Sequence, residues 1–525
     1  MIRESYGVAD TTGAITSTHG RKTFLDRFLD GVERVGNKVP HPAVIFLVLI
    51  AIVILLSHLL YLLDISVTYP VVDYLTDEVV ERTTAVRSLL TADGLRFMLT
   101  SPVPNFMSFG PVAVILVAMI GVGLAEESGL IKALVRQIVV VAPRSAITFI
   151  IVLLGVVSSI AADAGYLVLV PLGAAAFHSL GRHPLAGLAA AFAGVAGGFL
   201  TNLFVTPTDA ILTEITNDAI RLLNPTLSTG LTGNLFFMIA STLLVAIVCT
   251  VLTERFIEPH LGPYQGGVPI DTGEGVTDAE RRGLRFTLWT LAGFVVVIGL
   301  LSAPPGAVLR HQETGAILGG SPFMDGLIVL IMLLFLALGI AYGKGAGTIN
   351  TVTEGVNAVV KTFNSLAGLV FLLLVIAQFI AFFNFTNIAT VTAVGLADLL
   401  GDVQIGTVGL LVGFVVVIGI VDLLITGAIA KWAIFAPVFV PLFMQLGVEP
   451  DFVLAAYRVG DSPANVITPL NVYLAMIVAF AQKYQPESGV GTVVALMLPY
   501  TVVLFIVWTL MLVGWYLLGI PLGFG

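Results

Sequence analysis

The sequence predicts an all-helical polytopic membrane protein, and three observations lead to this fold class. Hydrophobic residues fill 57% of the 525 positions and charged residues 11%, whereas about a quarter of a soluble domain is charged. The mean hydropathy is +1.02. Apolar runs long enough to cross a hydrocarbon core of about 30 Å recur along the chain. An ordinary water-soluble globular protein is therefore excluded.

The first 39 residues are polar and precede the first apolar run. They carry six basic residues, which are Arg3, Arg21, Lys22, Arg27, Arg34 and Lys38. Basic residues next to a membrane span favour the cytoplasmic side, and this segment is too long and polar for a signal-peptide start. We predict a cytoplasmic N-terminal segment at 1–39 and a multi-pass domain at 40–525 in the inner (cytoplasmic) cell membrane.

Uninterrupted apolar runs predict nine transmembrane helices. Their approximate ranges are 41–63, 109–126, 146–162, 234–252, 285–303, 323–342, 366–386, 404–426 and 494–519. The segment after the first run is acidic and poor in lysine, so we expect an external loop there. The arginine-rich, turn-rich segment 253–284 is expected to be a cytoplasmic loop without helical periodicity.

Two further regions, 163–216 and 428–485, are apolar but interrupted by Gly, Pro, Asp, Asn and Thr. An interrupted backbone at membrane depth is tolerated only inside protein or beside a wet cavity, because each unpaired amide costs several kcal/mol in lipid. We therefore predict two re-entrant helical hairpins, each followed by an unwound helix. The first hairpin repeat spans about 145–220 and the second about 404–485.

The two interrupted regions resemble each other in sequence. Both contain Val-Pro-Leu, then Gly-x-x-Pro, then a helix of small residues, then Asn followed by Thr-Pro. "NLFVTP" at Asn202 thus corresponds to "NVITP" at Asn465. Paired broken segments in two halves of a membrane protein indicate a binding site near the bilayer midplane.

Arg458 and Asp461 lie three residues apart in the second interrupted region. On a helix they share a face, so they either form a structural ion pair or point into one cavity. Ionisable residues inside a membrane are costly and usually mark ion or solute paths, and Arg suits a solute carboxylate. Asp461 with amide oxygens from Asn202 or Asn465 would form an oxygen shell suited to Na⁺.

Three other carboxylates, Asp163, Asp209 and Asp422, fall in apolar surroundings. Each could relay protons or bind a cation. Asp163 could instead cap its helix, and Asp209 could be interfacial. Trp432, beside Lys431, could anchor the chain at the headgroup level or line a cavity.

Other chemistry is disfavoured. The single cysteine, Cys249, lies in an apolar helix, so we predict neither a disulfide framework nor a cysteine metal site. Residues 343–348, "GKGAGT", lack the phosphate-loop spacing. We find no Ser/His/Asp grouping and no His/Glu metal spacing, and with a net charge of −9 we expect no nucleic-acid partner. We therefore predict no cofactor and no enzyme.

Five motifs together resemble the AbgT family, the p-aminobenzoyl-glutamate transporters. They are "DAGYLVLVPL", "GRHPLAGLAAAFAGVAGGF", "AKWAIFAPVFVPL", "YRVGDSPANVITPL" and "GVGTVVALMLPYTV". The resemblance implies nine transmembrane helices, two re-entrant hairpins, an inverted repeat and a homodimer. It implies a small carboxylated solute, and it leaves import or export open.

The resemblance also implies site residues. Its substrate positions correspond to Asp209, Trp432, Pro450, Arg458, Asp461 and Pro469. Its sodium site would involve Asp461 and Asn465, with Asp422 and Asn202 as further candidates.

The chain departs from the family pattern at three places. Ile429 replaces Ser, Asp422 replaces Asn, and Ser462-Pro463-Ala464 separates Asp461 from Asn465. Asp422 adds negative charge near the expected cation site, which would strengthen Na⁺ coordination or permit proton coupling.

We therefore expect a secondary transporter of p-aminobenzoyl-glutamate or related aromatic carboxylates, or of sulfonamide antimetabolites, coupled to Na⁺ or H⁺. A sodium/dicarboxylate carrier is the alternative within transport. A channel and an intramembrane hydrolase are the alternatives from other classes, and turnover of a bound solute or gradient-insensitive flux would identify them.

Overall fold

The computed structural model describes residues 42–73, 78–160, 165–266, 276–317, 321–401, 406–423, 427–468, 471 and 473–524. Almost all of the regular structure in these ranges is helical. The helices are α1 (Pro42–Leu62), α2 (Ala92–Thr100), α3 (Pro102–Met107), α4 (Gly110–Glu127), α5 (Leu130–Val141), α6 (Ile147–Val157), α7 (Val170–Ser179), α8 (Pro184–Gly197), α9 (Pro207–Ile220), α10 (Leu235–Leu252), α11 (Glu258–Leu261), α12 (Asp278–Ser302), α13 (Pro322–Asp325), α14 (Leu327–Ala346), α15 (Val352–Phe385), α16 (Ile388–Gly401), α17 (Thr407–Asp422), α18 (Ala428–Gln445), α19 (Pro450–Asp461), α20 (Leu474–Tyr484) and α21 (Val490–Leu517).

Each of the nine predicted spans contains a helix. They are α1, α4, α6, α10, α12, α14, α15, α17 and α21. Over the described ranges, eight helices are long and apolar enough to cross a membrane, namely seven of these nine together with α18. The other two, α6 and α17, have 11 and 16 residues. The helical membrane fold is therefore confirmed, although α18 belongs to a predicted hairpin.

A β-ribbon occupies the expected external loop, where the sequence prediction gave no regular structure. Strands β1 (Ser66–Asp73) and β2 (Glu78–Ala85) pair antiparallel, from Ser66 opposite Ala85 to Asp73 opposite Glu78. Both strands are rich in Val and Thr, which favour extended backbone. The acidic residues thus indicate a loop after the first span, but they do not predict the strands within it.

The arginine-rich segment 253–284 is more helical than predicted. The helix that begins as α10 continues through a π-helical turn, Thr253–Ile257, and through α11 to Leu261. The next helix, α12, begins at Asp278, where Thr277 and Glu280 form a capping box. Helix thus replaces the predicted loop up to Leu261 and from Asp278, and most of its "GPYQGGVPIDTGEG" stretch lies outside the described residues.

The hairpins are confirmed as two groups of elements in the same order. In the first, α6 precedes the hairpin α7–α8, a non-helical break follows, and α9 comes next. In the second, α17 precedes the hairpin α18–α19, a break follows, and α20 comes next. We call these groups repeat 1 and repeat 2.

The two hairpin turns have the same geometry. Gly181 and Gly447 both have left-handed backbone, with φ of 72° and 76°, a conformation that glycine adopts without strain. The next amide in each turn bonds back to a phenylalanine carbonyl, Arg182 to Phe177 and Val448 to Phe443, at 2.9 Å in both. This pattern is a Schellman helix ending. Each second hairpin helix then begins at proline, in α8 and in α19.

Glycines set how closely each hairpin packs on the helix before it. A Cβ at Gly194 of α8 would lie 2.4 Å from the Val152 carbonyl oxygen of α6. A Cβ at Gly460 of α19 would lie 2.8 Å from the Val415 carbonyl oxygen of α17. Gly194 and Gly460 stand thirteen residues after Gly181 and Gly447. Both repeats therefore use the same close helix crossing.

The breaks after α8 and α19 are mostly buried over their described residues, although Phe204 in the first break is 45% exposed. After α19 the chain forms a 3₁₀-helix, Ser462–Val466, and the described residues 467, 468, 471 and 473 before α20 are non-helical. The two breaks meet where the Leu200 amide donates to Ser462 Oγ at 3.2 Å. Most of the described irregular backbone is thus covered by protein, as expected for a helix interrupted within a membrane.

Candidate functional site

Arg458 joins the two repeats. Its side chain on α19 is 1% exposed, and its Nη1 donates to Asp209 Oδ1 at 2.6 Å and to the Leu200 carbonyl at 3.1 Å. Asp209 belongs to α9 and Leu200 to the break of repeat 1. The guanidinium of repeat 2 is therefore held by two oxygens of repeat 1.

Asp209 serves two purposes. Its Oδ1 pairs with Arg458, while its Oδ2 accepts hydrogen bonds from the Thr206 amide at 2.8 Å and the Thr206 hydroxyl at 2.7 Å. The Asp209 amide in turn donates to Thr206 Oγ1 at 3.2 Å, and with the Thr206 amide bond it forms a capping box that starts α9. The helix cap therefore fixes the carboxylate that faces Arg458, and Asp209 is buried rather than interfacial.

One nitrogen of the Arg458 side chain is unused. Among the described residues, Arg458 Nε is buried and has no hydrogen-bond partner. An unsatisfied buried donor of a charged group costs more than about 1–3 kcal/mol. A carboxylate oxygen beside Nε would satisfy this donor with a charge-assisted bond.

Asp461 does not pair with Arg458, so the structural ion pair that the sequence left open as one alternative does not form. Its Oδ1 lies 2.6 Å from Lys431 Nζ and 3.0 Å from the Tyr457 hydroxyl. Its Oδ2 accepts a long hydrogen bond from the Asn465 amide at 3.4 Å. Arg458 and Asp461 therefore belong to two separate, neighbouring ion pairs.

Lys431 is a site residue that the sequence prediction missed. It lies in the first turn of α18, after Gly427, and its side chain is fully buried. Its Nζ contacts both Asp461 Oδ1 and Asp422 Oδ1. Asp422 is the last residue of α17, and its Oδ2 has no partner among the described residues. The available signal was a lysine within a strongly apolar helix.

Trp432 lies between the repeats and not at the headgroup level. The residue is fully buried, and its indole Nε1 donates to the Leu212 carbonyl at 3.2 Å and to Thr216 Oγ1 at 3.0 Å, both on α9. Its ring packs on Tyr457 with centroids 4.6 Å apart. An aromatic pair thus adjoins the charged residues, and the anchor interpretation is wrong.

The other predicted site residues are dispersed. Asn202 donates to Ser159 Oγ at 2.9 Å and accepts from the Leu203 amide, both within repeat 1. Pro450 is the first residue of α19, eight residues from Arg458 and so about 12 Å along the helix. Asp163 and Pro469 lie outside the described residues.

The charges of the cluster do not balance formally. We call Asp209, Asp422, Lys431, Arg458 and Asp461 the charged cluster. Two cations face three carboxylates, so one negative charge is left over. Each side chain is at most 5% exposed, so the cluster is closed to solvent in this conformation. A solute can reach it only if surrounding elements move.

The chain is similar to known membrane transporters over nearly its whole length. Residues 27–525 match a family model described as "AbgT putative transporter family". The chain is 34% identical over 494 residues to the p-aminobenzoyl-glutamate transport protein of Escherichia coli (strain K12), covering 94% of this chain and 95% of that protein.

Two solved structures are also similar over most of the chain. The YdaH transporter of Alcanivorax borkumensis has a TM-score of 0.86 at 40% identity, covering 92% of this chain and 100% of that one. MtrF of Neisseria gonorrhoeae, described with a class of antimetabolite efflux pumps, has a TM-score of 0.87 at 40% identity, covering 93% and 97%.

Proposed function

We propose a solute and a mechanism for this chain from the premise that it belongs to the AbgT family of transporters. It is a multi-pass membrane transporter rather than an enzyme. The proposed solute is p-aminobenzoyl-glutamate or a related aromatic carboxylate, moved by secondary active transport coupled to a Na⁺ or H⁺ gradient. The supporting relative is the E. coli p-aminobenzoyl-glutamate transport protein.

The unpartnered Arg458 Nε is the observation that carries this proposal. A guanidinium fork binds the two oxygens of a carboxylate side by side. In the closed conformation Asp209 holds one part of this fork. In our proposal a solute carboxylate bonds to Nε and competes with Asp209 for Arg458.

Competition at Arg458 would connect solute binding to movement. Asp209 and Leu200 lie in repeat 1 and Arg458 in repeat 2, so loosening these bonds weakens the contact between the repeats. Transporters built from repeats alternate access by moving one repeat or bundle against another around a fixed site. A carboxylated solute would thus favour opening by replacing an internal carboxylate.

The charge imbalance supports cation coupling. The charged cluster has one formal negative charge before an anionic solute arrives. Each further negative charge is unfavourable inside a low-dielectric site. Entry of a carboxylate would therefore be more favourable with a co-transported cation, which is why we propose a gradient-driven carrier rather than a channel.

Flux measurements in proteoliposomes test the proposal. Purified protein would be reconstituted, and uptake of radiolabelled p-aminobenzoyl-glutamate followed with Na⁺ and proton gradients imposed separately. We expect uptake above that of protein-free vesicles under at least one gradient, and competition by unlabelled solute. Absence of flux under every gradient would refute the assignment, and competition by succinate or citrate instead would indicate a dicarboxylate carrier.

The similarity to MtrF favours a second candidate, efflux of sulfonamide antimetabolites. Sulfonamides resemble the p-aminobenzoyl part of the first solute, but they lack the glutamate carboxylates. If they are substrates, their transport should depend on the aromatic residues more than on Arg458. Sulfonamide flux that is lost in Arg458→Ala to the same degree as p-aminobenzoyl-glutamate flux would contradict this expectation.

The homodimer and the cytoplasmic N-terminus implied by the sequence also stay proposals. Cross-linking in native membranes would test the homodimer. Labelling of a cysteine placed within residues 1–39 from either side of the membrane would test the orientation.

A further inference from the structure

Lys431 stands where the sequence predicts a transported sodium ion. We infer that the Lys431 ammonium is a built-in cation that takes the sodium position beside Asp461, so that solute binding by this chain does not require Na⁺. The inference concerns the coupling of the proposed transport and in that respect rests on the proposed function. It has its own test, which needs no solute.

The position is defined by two oxygens of the expected sodium site. Asp461 Oδ1 is 2.6 Å from Lys431 Nζ, and Asp422 Oδ1 is in direct contact with the same nitrogen. Both carboxylates therefore direct an oxygen at one point, as they would at a bound cation. A sodium ion near that point would face a positive charge at contact distance, where repulsion is strong.

The remaining polar groups around Asp461 also suit an anion that accepts hydrogen bonds. The Tyr457 hydroxyl, which also donates to the Ala428 carbonyl at 2.5 Å, and the Asn465 amide nitrogen lie at its two oxygens, at 3.0 and 3.4 Å. Sodium needs lone-pair donors such as carbonyl and carboxylate oxygens. The fourth expected ligand, Asn202, is engaged with Ser159 and Leu203. The expected ligand set therefore does not fit a sodium ion in this conformation.

A buried lysine at this place is too costly to be incidental. Burial takes the ammonium out of water, which costs several kcal/mol unless a counter-charge is present. Lys431 also lies in the first turn of α18, where the helix dipole disfavours a cation. Two carboxylates, those of Asp422 and Asp461, offset these costs.

The sharpest test removes the ammonium and keeps both carboxylates. Lys431→Met has a similar unbranched side chain without charge, so it leaves Asp422 and Asp461 without their cation. Thermal unfolding in detergent would be followed with NaCl and with N-methyl-D-glucamine chloride at equal ionic strength. The matched control is the double variant K431M/D422N, which lacks the second carboxylate.

We expect wild-type protein to melt at the same temperature in both salts. Lys431→Met should melt at a lower temperature, and Na⁺ should raise that temperature by about 2 °C through binding at the vacated site. The double variant should lose most of this Na⁺ response. In vesicles, wild-type uptake should be unchanged when Na⁺ is replaced at constant membrane potential.

Two results would overturn the inference. One is Na⁺ stabilisation of the wild type that is lost in Asp461→Asn, and the other is folded Lys431→Met protein without any Na⁺ response. If Lys431→Met does not fold, the wild-type series decides alone, because Na⁺-dependent melting or uptake refutes the inference and Na⁺-independence supports it. Failure of the solute assignment is distinguishable, since it abolishes uptake in every salt and leaves the melting series intact.

Discussion

The second hairpin helices of the two repeats, α8 and α19, have the same backbone geometry but differ in charge. Helix α8 is apolar, whereas α19 carries charged residues. Both α8 and α19 begin at proline after a Schellman turn and pack through a glycine on the preceding helix. Counted from Gly181 and Gly447, Phe192 of α8 corresponds to Arg458 of α19. Phe192 is fully buried against Tyr166, with ring centroids 6.2 Å apart. The repeat therefore sets where a side chain points, and the residue type decides what it does.

This difference shows how a repeated fold can hold an asymmetric site. Helix α8 has no charged residue, whereas α19 has Arg458 and Asp461 in its last turns. Repeat 1 contributes to the charged cluster from α9, through Asp209. Repeat 2 supplies the other four residues of the cluster, and the pair between Arg458 and Asp209 forms only where the two repeats meet.

The largest expected effect is on solute uptake, and it should follow substitution of Arg458 but not of the corresponding residue Phe192. Arg458→Ala should reduce p-aminobenzoyl-glutamate uptake at least about 100-fold, because truncation leaves Asp209 buried without its partner and removes the carboxylate fork. Arg458→Lys should recover part of the uptake, since charge returns without the fork. Kinetics of uptake in proteoliposomes measure both.

Two controls accompany that experiment. Arg221→Ala removes an exposed arginine that pairs with Asp218 on α9, and uptake should be unchanged. Phe192→Leu should lower the melting temperature with little change in solute affinity. Equal losses of affinity in Phe192→Leu and Arg458→Ala would break the distinction between a packing helix and a binding helix.

The second prediction tests what the repeats share. Gly194→Ala and Gly460→Ala each place a methyl group against a backbone oxygen that cannot move aside as a side chain can. Overpacking of this kind costs about 1–3 kcal/mol, and we expect similar falls in melting temperature for both. The control is Gly293→Ala in α12, where no atom lies within 4 Å of the added Cβ. A large effect in only one repeat would contradict the shared packing.

Most of the architecture was predictable from local sequence patterns. Long apolar runs locate nine helices, seven of which are long and apolar enough to cross a membrane, and the Gly-x-x-Pro pattern locates both hairpin turns because left-handed backbone favours glycine. The β-ribbon is not predicted, because the acidic residues of 66–85 indicate a loop. The Val and Thr residues of the same segment favour strands. In these cases neighbouring residues carry the relevant information.

The sequence predicts most of the residues of the site, but it does not predict which of them are in contact. Arg458 was identified from its cost in a membrane, yet its partner Asp209 is 249 positions away, and helical spacing pointed to Asp461 instead. Lys431 is not predicted as a site residue, because its role comes from ion pairs with Asp422 and Asp461. Those two carboxylates lie on two other helices. Ion pairs between distant segments follow from packing, which one sequence does not specify.

The third prediction concerns the contact between the repeats. Asp209→Asn retains an oxygen for the Thr206 cap but removes the charge that competes for Arg458. We expect the KM for p-aminobenzoyl-glutamate to fall about tenfold, which corresponds to about 1.4 kcal/mol, and the maximal rate to fall as well. Asp218→Asn, on the same helix, is the control and should change neither. An increase in KM would show that Asp209 binds the solute rather than competing with it.

The smallest expected effect concerns the hairpin turns themselves. In repeat 1, Arg182 bonds to Glu258 Oε1 at 2.9 Å and to Thr148 Oγ1 at 2.9 Å, and it stacks over Phe177 at 3.9 Å. Neighbouring His183 is buried and its Nδ1 accepts from the Leu185 amide at 3.3 Å, while Arg182 supplies a cation at this turn. The corresponding residue of repeat 2 is the apolar Val448.

Arg182→Ala should therefore destabilise the protein by only about 1 kcal/mol, since the pair is partly exposed to solvent. The loss of melting temperature should shrink as salt rises, because screening weakens the pair in the wild type. Val448→Ala removes buried apolar surface instead, so its effect should not depend on salt. If both variants respond to salt alike, the turns are held by the same forces, and the charge asymmetry between the repeats would be confined to the site.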